Sequence, residues 1–161
     1  VNGKGIFVKE KDNYKIEATV NVEDEKQSLL YILEVRTGIE VLAVKLAAER
    51  ATPEDIARME ESVKKIKEKS ARGECHPNED KEFHNAIYVA AKNPILIEMM
   101  QNMYEVIDKL WQNPLGVGKA FNEIANLHEE LLEHIKAKNP KKAEKAFLKL
   151  MHEEGLIIKN I

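Results

Sequence analysis

The fold is decided by the stretch from Leu29 to Arg50, which reads LLYILEVRTGIEVLAVKLAAER. Its apolar side chains recur every three or four residues, the spacing that places side chains on one face of an α-helix. The predicted buried face consists of Leu29, Ile32, Leu33, Arg36, Ile39, Glu40, Ala43, Leu46 and Ala47. This face therefore includes two charged residues, Arg36 and Glu40, among apolar ones.

Helix boundaries further along the chain follow from capping residues and prolines. A capping residue followed by proline predicts helix starts at Thr52, Asn93 and Asn139. Gly155 is expected to end the last helix before a short apolar tail. Beyond the first helix, the signals predict helices over about 53–69, 77–92, 94–112, 119–137 and 140–154. The sequence therefore predicts an all-α bundle of about six helices joined by short loops.

The composition fits one helical domain without disulfide bonds. The 161 residues are 43% hydrophobic and 33% charged, with seven glycines and five prolines, which favours amphipathic helices over sheets or disorder. A net charge of -3 provides no general affinity for phosphate backbones, and a single cysteine, Cys75, fits a reducing compartment. No apolar run approaches the roughly 20 residues that span a bilayer, and no export signal is recognisable. We therefore expect a cytoplasmic protein that does not cross a membrane.

The first residues differ in character from the helical body. Gly3, Lys4 and Gly5 precede an Ile-Phe-Val run, which indicates a turn that leads into a strand within residues 1–8. Residues 9–26 are polar without a sustained period and are expected to form a linker. The helical domain is then expected to occupy residues 27–161.

Three polar side chains on apolar helix faces are candidates for a metal site. Asp80 and His84 are four residues apart, so both point the same way from one helix. His128 also lies on an apolar face, and a buried imidazole needs a partner for each ring nitrogen, which a metal and a second acceptor supply. A carboxylate with imidazoles suits zinc, nickel or manganese better than calcium. The alternative, which spacing alone favours, is a set of hydrogen-bonded core histidines. Cys75 and His76 are expected to lie in a loop, because no second cysteine completes a metal site there.

Arg36 has two interpretations. Glu40 lies one turn later on the same helix, so the two side chains can form an intrahelical ion pair. The alternative is a buried guanidinium that binds the carboxylate of an effector through a bidentate contact. The sequence leaves both interpretations open.

Further residues repeat, in order, the pattern of a known family. They are Glu34-Val35-Arg36 with Glu40, then Leu46-Ala47-Ala48-Glu49-Arg50-Ala51-Thr52, then Asp80-x-x-Phe83-His84 with Asn93-Pro94-x-Leu96, and finally His128 with Asn139 and Ala143. From about Gln27 to Glu154 this order resembles the C-terminal effector domain of FadR-like regulators in the GntR superfamily of bacterial transcription regulators. Separately, residues 3–8 resemble the end of the wing in a GntR winged-helix domain, so the winged helix itself is expected before Val1, in a longer protein.

The resemblance implies a fold and a function. The implied fold is an antiparallel helical bundle with a ligand cavity, and the intact regulator would be a homodimer whose binding to operator DNA a small metabolite modulates. Operator DNA would be bound by the preceding N-terminal domain, of which Gly3, Lys4 and Gly5 are the nucleic-acid-binding remnant. The resemblance implies no catalysis, so we do not expect an enzyme.

The resemblance also implies a metal site that is one histidine short. Many members of the family hold a metal with an aspartate and three histidines, and three of these positions match Asp80, His84 and His128. The fourth position is Leu150, and His152 lies about 200° around an ideal helix from the expected direction. Three arrangements remain: a metal with three protein ligands and open positions for water or an effector carboxylate, a site that reaches His152 through a local distortion, or a metal-free domain that binds its effector directly, as the acyl-CoA-responsive branch does.

These features predict the effector-sensing and dimerisation domain of a ligand-responsive transcription regulator, which binds a small organic acid through a metal ion or Arg36. A metal-free domain that responds to an acyl-CoA or a fatty acid is the first alternative. A helical-bundle metalloenzyme is a second, but the sequence lacks a second carboxylate and histidine set and a convincing general base. A dimerisation module with an empty cavity is the third.

Overall fold

A computed structural model describes the backbone of residues 25–111 and 118–160, and the side chains of these residues other than 25 and 105–111. Within these ranges the chain forms six α-helices and one 3₁₀ helix, and it has no strand. The elements are α1 (Glu25–Arg50), α2 (Pro53–Ala71), α3 (Pro77–Ala90), α4 (Pro94–Trp111), the 3₁₀ helix (Gly118–Ile124), α5 (Ala125–Lys136) and α6 (Pro140–Lys159). The prediction of an all-α bundle with about six helices is confirmed. The predicted wing remnant with Gly3, Lys4 and Gly5 lies outside the described residues and stays a prediction.

Helix α1 lies at the centre of the bundle. It packs against α3, α4, α5 and α6. Its buried face largely follows the predicted one, since the side chains of Leu29, Arg36, Glu40 and Ala43 are at most 1% exposed. The central position of α1 therefore brings two charged side chains into the interior of the bundle.

The end of α6 differs from the prediction. Gly155 was expected to end the helix, but α6 continues to Lys159, so that prediction was wrong. Gly155 is buried against α1, where an added Cβ atom would lie 3.2 Å from Cδ2 of Leu33. Ile158, two residues before the end of the described chain, is fully buried. Glycine serves here as a close-packing residue, and burial of Ile158 helps to extend the helix.

The starts of two helices also differ in detail from the expected boundaries. Helix α1 begins at Glu25, so the last two residues of the predicted linker are helical. The fifth predicted helix is divided, because residues Gly118–Ile124 form a 3₁₀ helix and α5 begins at Ala125.

The capping box at the start of α2 also contacts a lysine that follows α3. The Oγ1 atom of Thr52 accepts a hydrogen bond from the backbone N–H of Asp55 at 3.3 Å, and the carboxylate of Asp55 accepts one from the backbone N–H of Thr52 at 3.0 Å. The Nζ atom of Lys92, just beyond α3, lies 2.6 Å from Oδ2 of the same carboxylate. These contacts fix α3 relative to α2 and thereby position the residues that α3 contributes to the interior.

None of the described helices is both long and apolar enough to cross a membrane.

Candidate metal and effector site

The three candidate metal ligands meet in the interior of the bundle. The spacing of four residues places Asp80 and His84 on one face of α3, and α5 contributes His128. All three are buried, and one potential ligand atom from each lies within 4.8 Å of the others. Nε2 of His128 lies 2.8 Å from Oδ1 of Asp80, and Nε2 of His84 lies 3.9 Å from the same oxygen. The structure therefore brings together the residues that the sequence singled out.

His84 connects this cluster to α1. Its Nδ1 atom lies 2.7 Å from Oε2 of Glu40. Its Nε2 atom, which faces Asp80, is buried and has no hydrogen-bond partner among the described residues. One ring nitrogen thus faces a carboxylate while the other is available to the cluster, which is the arrangement that metal-binding histidines usually have.

Arg36 and Glu40 form the intrahelical ion pair that was one of the two interpretations of the sequence. The Nε atom of Arg36 donates a hydrogen bond to Oε1 of Glu40 at 2.7 Å, and both side chains are 1% exposed. Burial by itself would raise the pKa of Glu40, but the charges of Arg36 and His84 outweigh it and lower this pKa to about 2. Burial would likewise lower the pKa of His84, and the carboxylates of Glu40 and Asp80 raise it instead. The ion pair is therefore charged and tied to the metal-ligand candidates.

A second buried carboxylate, Glu154, faces Arg36 from α6. Its Oε2 atom lies 3.6 Å from Nη1 of Arg36 and has no hydrogen-bond partner among the described residues. Burial raises the pKa of Glu154 to about 8, because Arg36 offsets only part of the loss of hydration and the nearby charge of Asp80 adds to the rise. The sequence analysis missed this residue because its contact with Arg36 runs from α6 to α1, and no local pattern specifies such a contact. Its position one turn after Leu150 on the buried face of α6 was the signal that could have identified it.

Leu150 and His152, the two residues considered for the fourth ligand position, differ in burial. Leu150 is fully buried, whereas His152 is exposed on the other face of α6, as its angular position predicted. His76 lies in the loop before α3 as expected, but its ring is buried, with 4% of the residue exposed.

Aromatic rings surround the polar cluster. The ring of Phe83 lies 5.4 Å from that of His128, and the rings of Phe147 and Tyr88 lie 6.3 and 6.5 Å from that of His84, measured between centroids. The hydroxyl oxygens of Tyr88 and Tyr104 are 3.5 Å apart, and burial raises the pKa of both phenols. Electrostatic interactions are stronger in such an apolar setting than in water. The arrangement can therefore attract a cation at the cluster and orient an anionic group near Arg36.

Comparisons with known proteins agree with this fold. Residues 31–153 match the model of the FCD domain. The transcriptional regulator LutR of Bacillus subtilis, described as HTH-type, is 27% identical over 157 residues, which cover 91% of this chain and 70% of LutR. The HTH-type regulator McbR of Escherichia coli is 34% identical over 112 residues, which cover 68% of this chain but 47% of McbR. The solved structure of E. coli McbR/YncC superposes with a TM-score of 0.69 at 26% identity, over 84% of this chain and 66% of that one.

Proposed function

The chain belongs to the FCD domain family of GntR-type transcription regulators, and from that premise we propose that it senses a small organic acid and thereby controls DNA binding. The observation that carries this proposal is the buried cluster of Asp80, His84 and His128 next to Arg36. Effector binding would favour one arrangement of the helices that hold the DNA-binding domain. Coupling of this kind is typically worth about 1–3 kcal/mol.

We propose that the cluster binds a divalent metal ion through Asp80, His84 and His128. The donor set suits zinc, nickel or manganese. The buried Nε2 atom of His84 fits this proposal, since it has no hydrogen-bond partner among the described residues while Nδ1 faces Glu40. When bound, the metal would supply positive charge to which an effector carboxylate is attracted. His152 does not support the second arrangement considered above, because its side chain is exposed on the other face of α6.

Arg36 is proposed to bind the carboxylate of the effector. Its Nε atom donates a hydrogen bond to Glu40 at 2.7 Å, and its Nη1 atom lies 3.6 Å from Oε2 of Glu154. An incoming carboxylate would take the place of Glu154 in a geometry that a guanidinium favours. Glu154 would thus be the group that the effector displaces, and its helix α6 the element that responds.

Metal content of the purified chain tests the first part of this proposal. Elemental analysis after incubation with zinc, nickel and manganese should give near-stoichiometric metal for the wild type. The variants Asp80→Ala and His84→Ala should lose it, while His152→Ala serves as a matched control on an exposed histidine. Absence of metal in the wild type would contradict the proposed metal site and favour a metal-free site.

Effector binding and its consequence for DNA require separate measurements. Organic acids that bind should raise the melting temperature of the wild type and have a smaller effect on Arg36→Lys, which keeps the charge but loses the bidentate geometry. In the longer protein that includes a DNA-binding domain, the same acids should change the affinity for operator DNA. Unchanged operator affinity across a panel of organic acids, acyl-CoAs and metals would contradict the regulator proposal.

The second candidate function is that of a metal-free sensor for an acyl-CoA or a fatty acid. The specific observation in its favour is that Leu150 occupies the position where the family pattern has a histidine. A rise in melting temperature with acyl-CoAs in the presence of a chelator, and no response to metals or short acids, would support it.

We further propose that the domain forms a homodimer through the outer face of α1 and acts in the cytoplasm. Tyr31, Val35 and Leu42 are 59%, 52% and 49% exposed, and their spacing of four and seven residues places them on one face. An apolar helical face of this kind suits a self-complementary contact with a second copy. Sedimentation velocity should give a dimer for the wild type and a monomer for Val35→Glu; a monomeric wild type would contradict this assignment.

A further inference from the structure

His76 is a buried histidine that the proposed metal site does not yet include. It precedes the first residue of α3 and is 4% exposed. Its Nε2 atom is buried without a hydrogen-bond partner among the described residues. Buried polar atoms are nearly always paired, so this nitrogen calls for an explanation.

The position of His76 relative to the cluster supplies that explanation. The ring centroid of His76 lies 6.5 Å from that of His128, and the ring centroid of His84 lies 6.2 Å from it. The two rings make almost the same angle with His128, at 86° and 85°. After burial, the charges that most affect the pKa of His76 are those of Asp80 and His128. His76 thus lies beside the ring of His128, as the candidate ligand His84 does, and the charge of Asp80 acts on both histidines.

The start of α3 explains how His76 comes to this place. His76, Asp80 and His84 follow one another at intervals of four residues, which is the spacing of side chains on one face of a helix. The backbone N–H of Asp80 donates a hydrogen bond to the carbonyl of His76 at 3.0 Å, so the helical turn already includes His76 through its carbonyl. Although it occupies the N-cap position, its side chain makes no capping hydrogen bond. The imidazole is therefore not required to cap α3.

We propose that His76 is the fourth protein ligand of the metal, in place of the histidine that Leu150 replaces. This inference rests on the proposed metal site at Asp80, His84 and His128. The ligand atoms of those three residues already lie within 4.8 Å of one another, and His76 is not part of that group, so its ring has to turn towards them. Its side chain makes no capping hydrogen bond that this rotation would break. The metal would then be held by one carboxylate and three imidazoles, with two ligands from α3, one from the residue just before it and one from α5.

Cobalt(II) is the probe that tests this proposal in the unmodified chain. In water, the proton NMR spectrum of the cobalt-loaded protein shows strongly shifted, exchangeable ring N–H signals, one for each coordinated histidine. Three such signals are expected if His76, His84 and His128 all coordinate. Two signals would overturn the proposal and leave a site with three protein ligands.

Variants provide an independent measurement. His76→Ala and the closer replacement His76→Asn should bind cobalt at least roughly tenfold more weakly in competition with a chelator, and they should lose one shifted N–H signal and alter the visible absorption of the cobalt. His152→Ala is the matched control, since it removes an exposed histidine, and it should behave as the wild type. Weaker binding with an unchanged absorption spectrum and signal count would indicate a structural role and overturn the ligand assignment.

The outcomes for His76 and for the metal site itself are distinguishable. If the wild type binds no cobalt, zinc or nickel, the proposed metal site fails and the His76 assignment falls with it. If the wild type binds metal tightly and both His76 variants match it in affinity and spectrum, the assignment of His76 alone fails.

Discussion

Glu154→Gln is the substitution whose effect can be worked out most directly from the structure. Burial raises the pKa of Glu154 from 4.5 to about 8, so the folded protein keeps this proton up to about pH 8 whereas the unfolded chain releases it near pH 4.5. Between these values the folded state binds more protons than the unfolded state, and stability falls as the pH rises. At 1.36 kcal/mol per pKa unit the full effect is on the order of 3–5 kcal/mol. Glutamine has a similar shape but no ionisable group, and it removes this dependence.

The expected result is a difference between two stability profiles. In urea unfolding of chelator-treated protein, Glu154→Gln and the wild type should agree within about 1 kcal/mol at pH 5. At pH 8.5 the variant should be more stable by about 3–5 kcal/mol. At this pH Glu154 is ionised in the unfolded wild type, whereas in the folded wild type it has to be either kept protonated or ionised in a buried position, and both cost free energy. Glu153→Gln, a change at the half-buried neighbour on α6, is the matched control and should follow the wild type.

Parallel profiles for the wild type and Glu154→Gln between pH 5 and pH 8.5 would refute this reasoning. They would show that Glu154 is hydrated or fully paired in solution. The Glu154 carboxyl would then not be the loosely held neighbour of Arg36 that an effector displaces.

Three further substitutions test the packing and capping of the bundle. Gly38→Ala should raise the free energy of unfolding by about 0.5–1 kcal/mol, since nothing lies within 4 Å of the added Cβ and alanine is the better helix former; an unchanged urea midpoint would contradict this. Gly155→Ala should lack that gain, because its Cβ would lie 3.2 Å from Cδ2 of Leu33, and an equal gain in the same assay would show that α1 and α6 are packed less closely. Asp55→Asn should lower stability at pH 7 by about 1–2 kcal/mol. Burial by itself would raise the pKa of Asp55, but the contact with Lys92 helps to lower this pKa overall. The loss of stability in Asp55→Asn is therefore present above about pH 4 and shrinks as the pH falls below that value. Unfolding at pH 7 and pH 3 measures the difference, and equal losses would rule out the charge contribution.

Much of the fold was predictable because it depends on local signals. The three-and-four spacing of Leu29 to Ala47 gave the buried face of α1, and capping residues before proline gave the starts of three other helices. Gly155 was misinterpreted because a glycine that ends a helix and a glycine that allows two helices to approach look alike in a sequence. Contact with Leu33 across the bundle distinguishes them.

The candidate site was predictable only in part, because local sequence patterns do not specify contacts between different helices. Asp80 and His84 share a helix, so their spacing alone places them side by side. Glu154 is linked to the site only through Arg36 on another helix, and such contacts across helices depend on packing that no local pattern specifies. His76 is the intermediate case, since its spacing of four residues before Asp80 was visible while its burial was not.

The charges in the interior support the proposed metal-binding site over the metal-free alternative. Asp80, Glu40 and Glu154 bring three carboxyl groups into the region of one guanidinium, that of Arg36, and all four side chains are buried. Burial is the main cause of the raised pKa of Glu154, and the charges of Asp80 and Glu40 add to it, so the group keeps its proton rather than add a further negative charge. A divalent cation would provide the missing positive charge. Leu150 stands where the family has an imidazole, and an imidazole binds metal in its neutral form. The replacement therefore removes a ligand but leaves the number of carboxyl groups unchanged, and these groups still attract a cation.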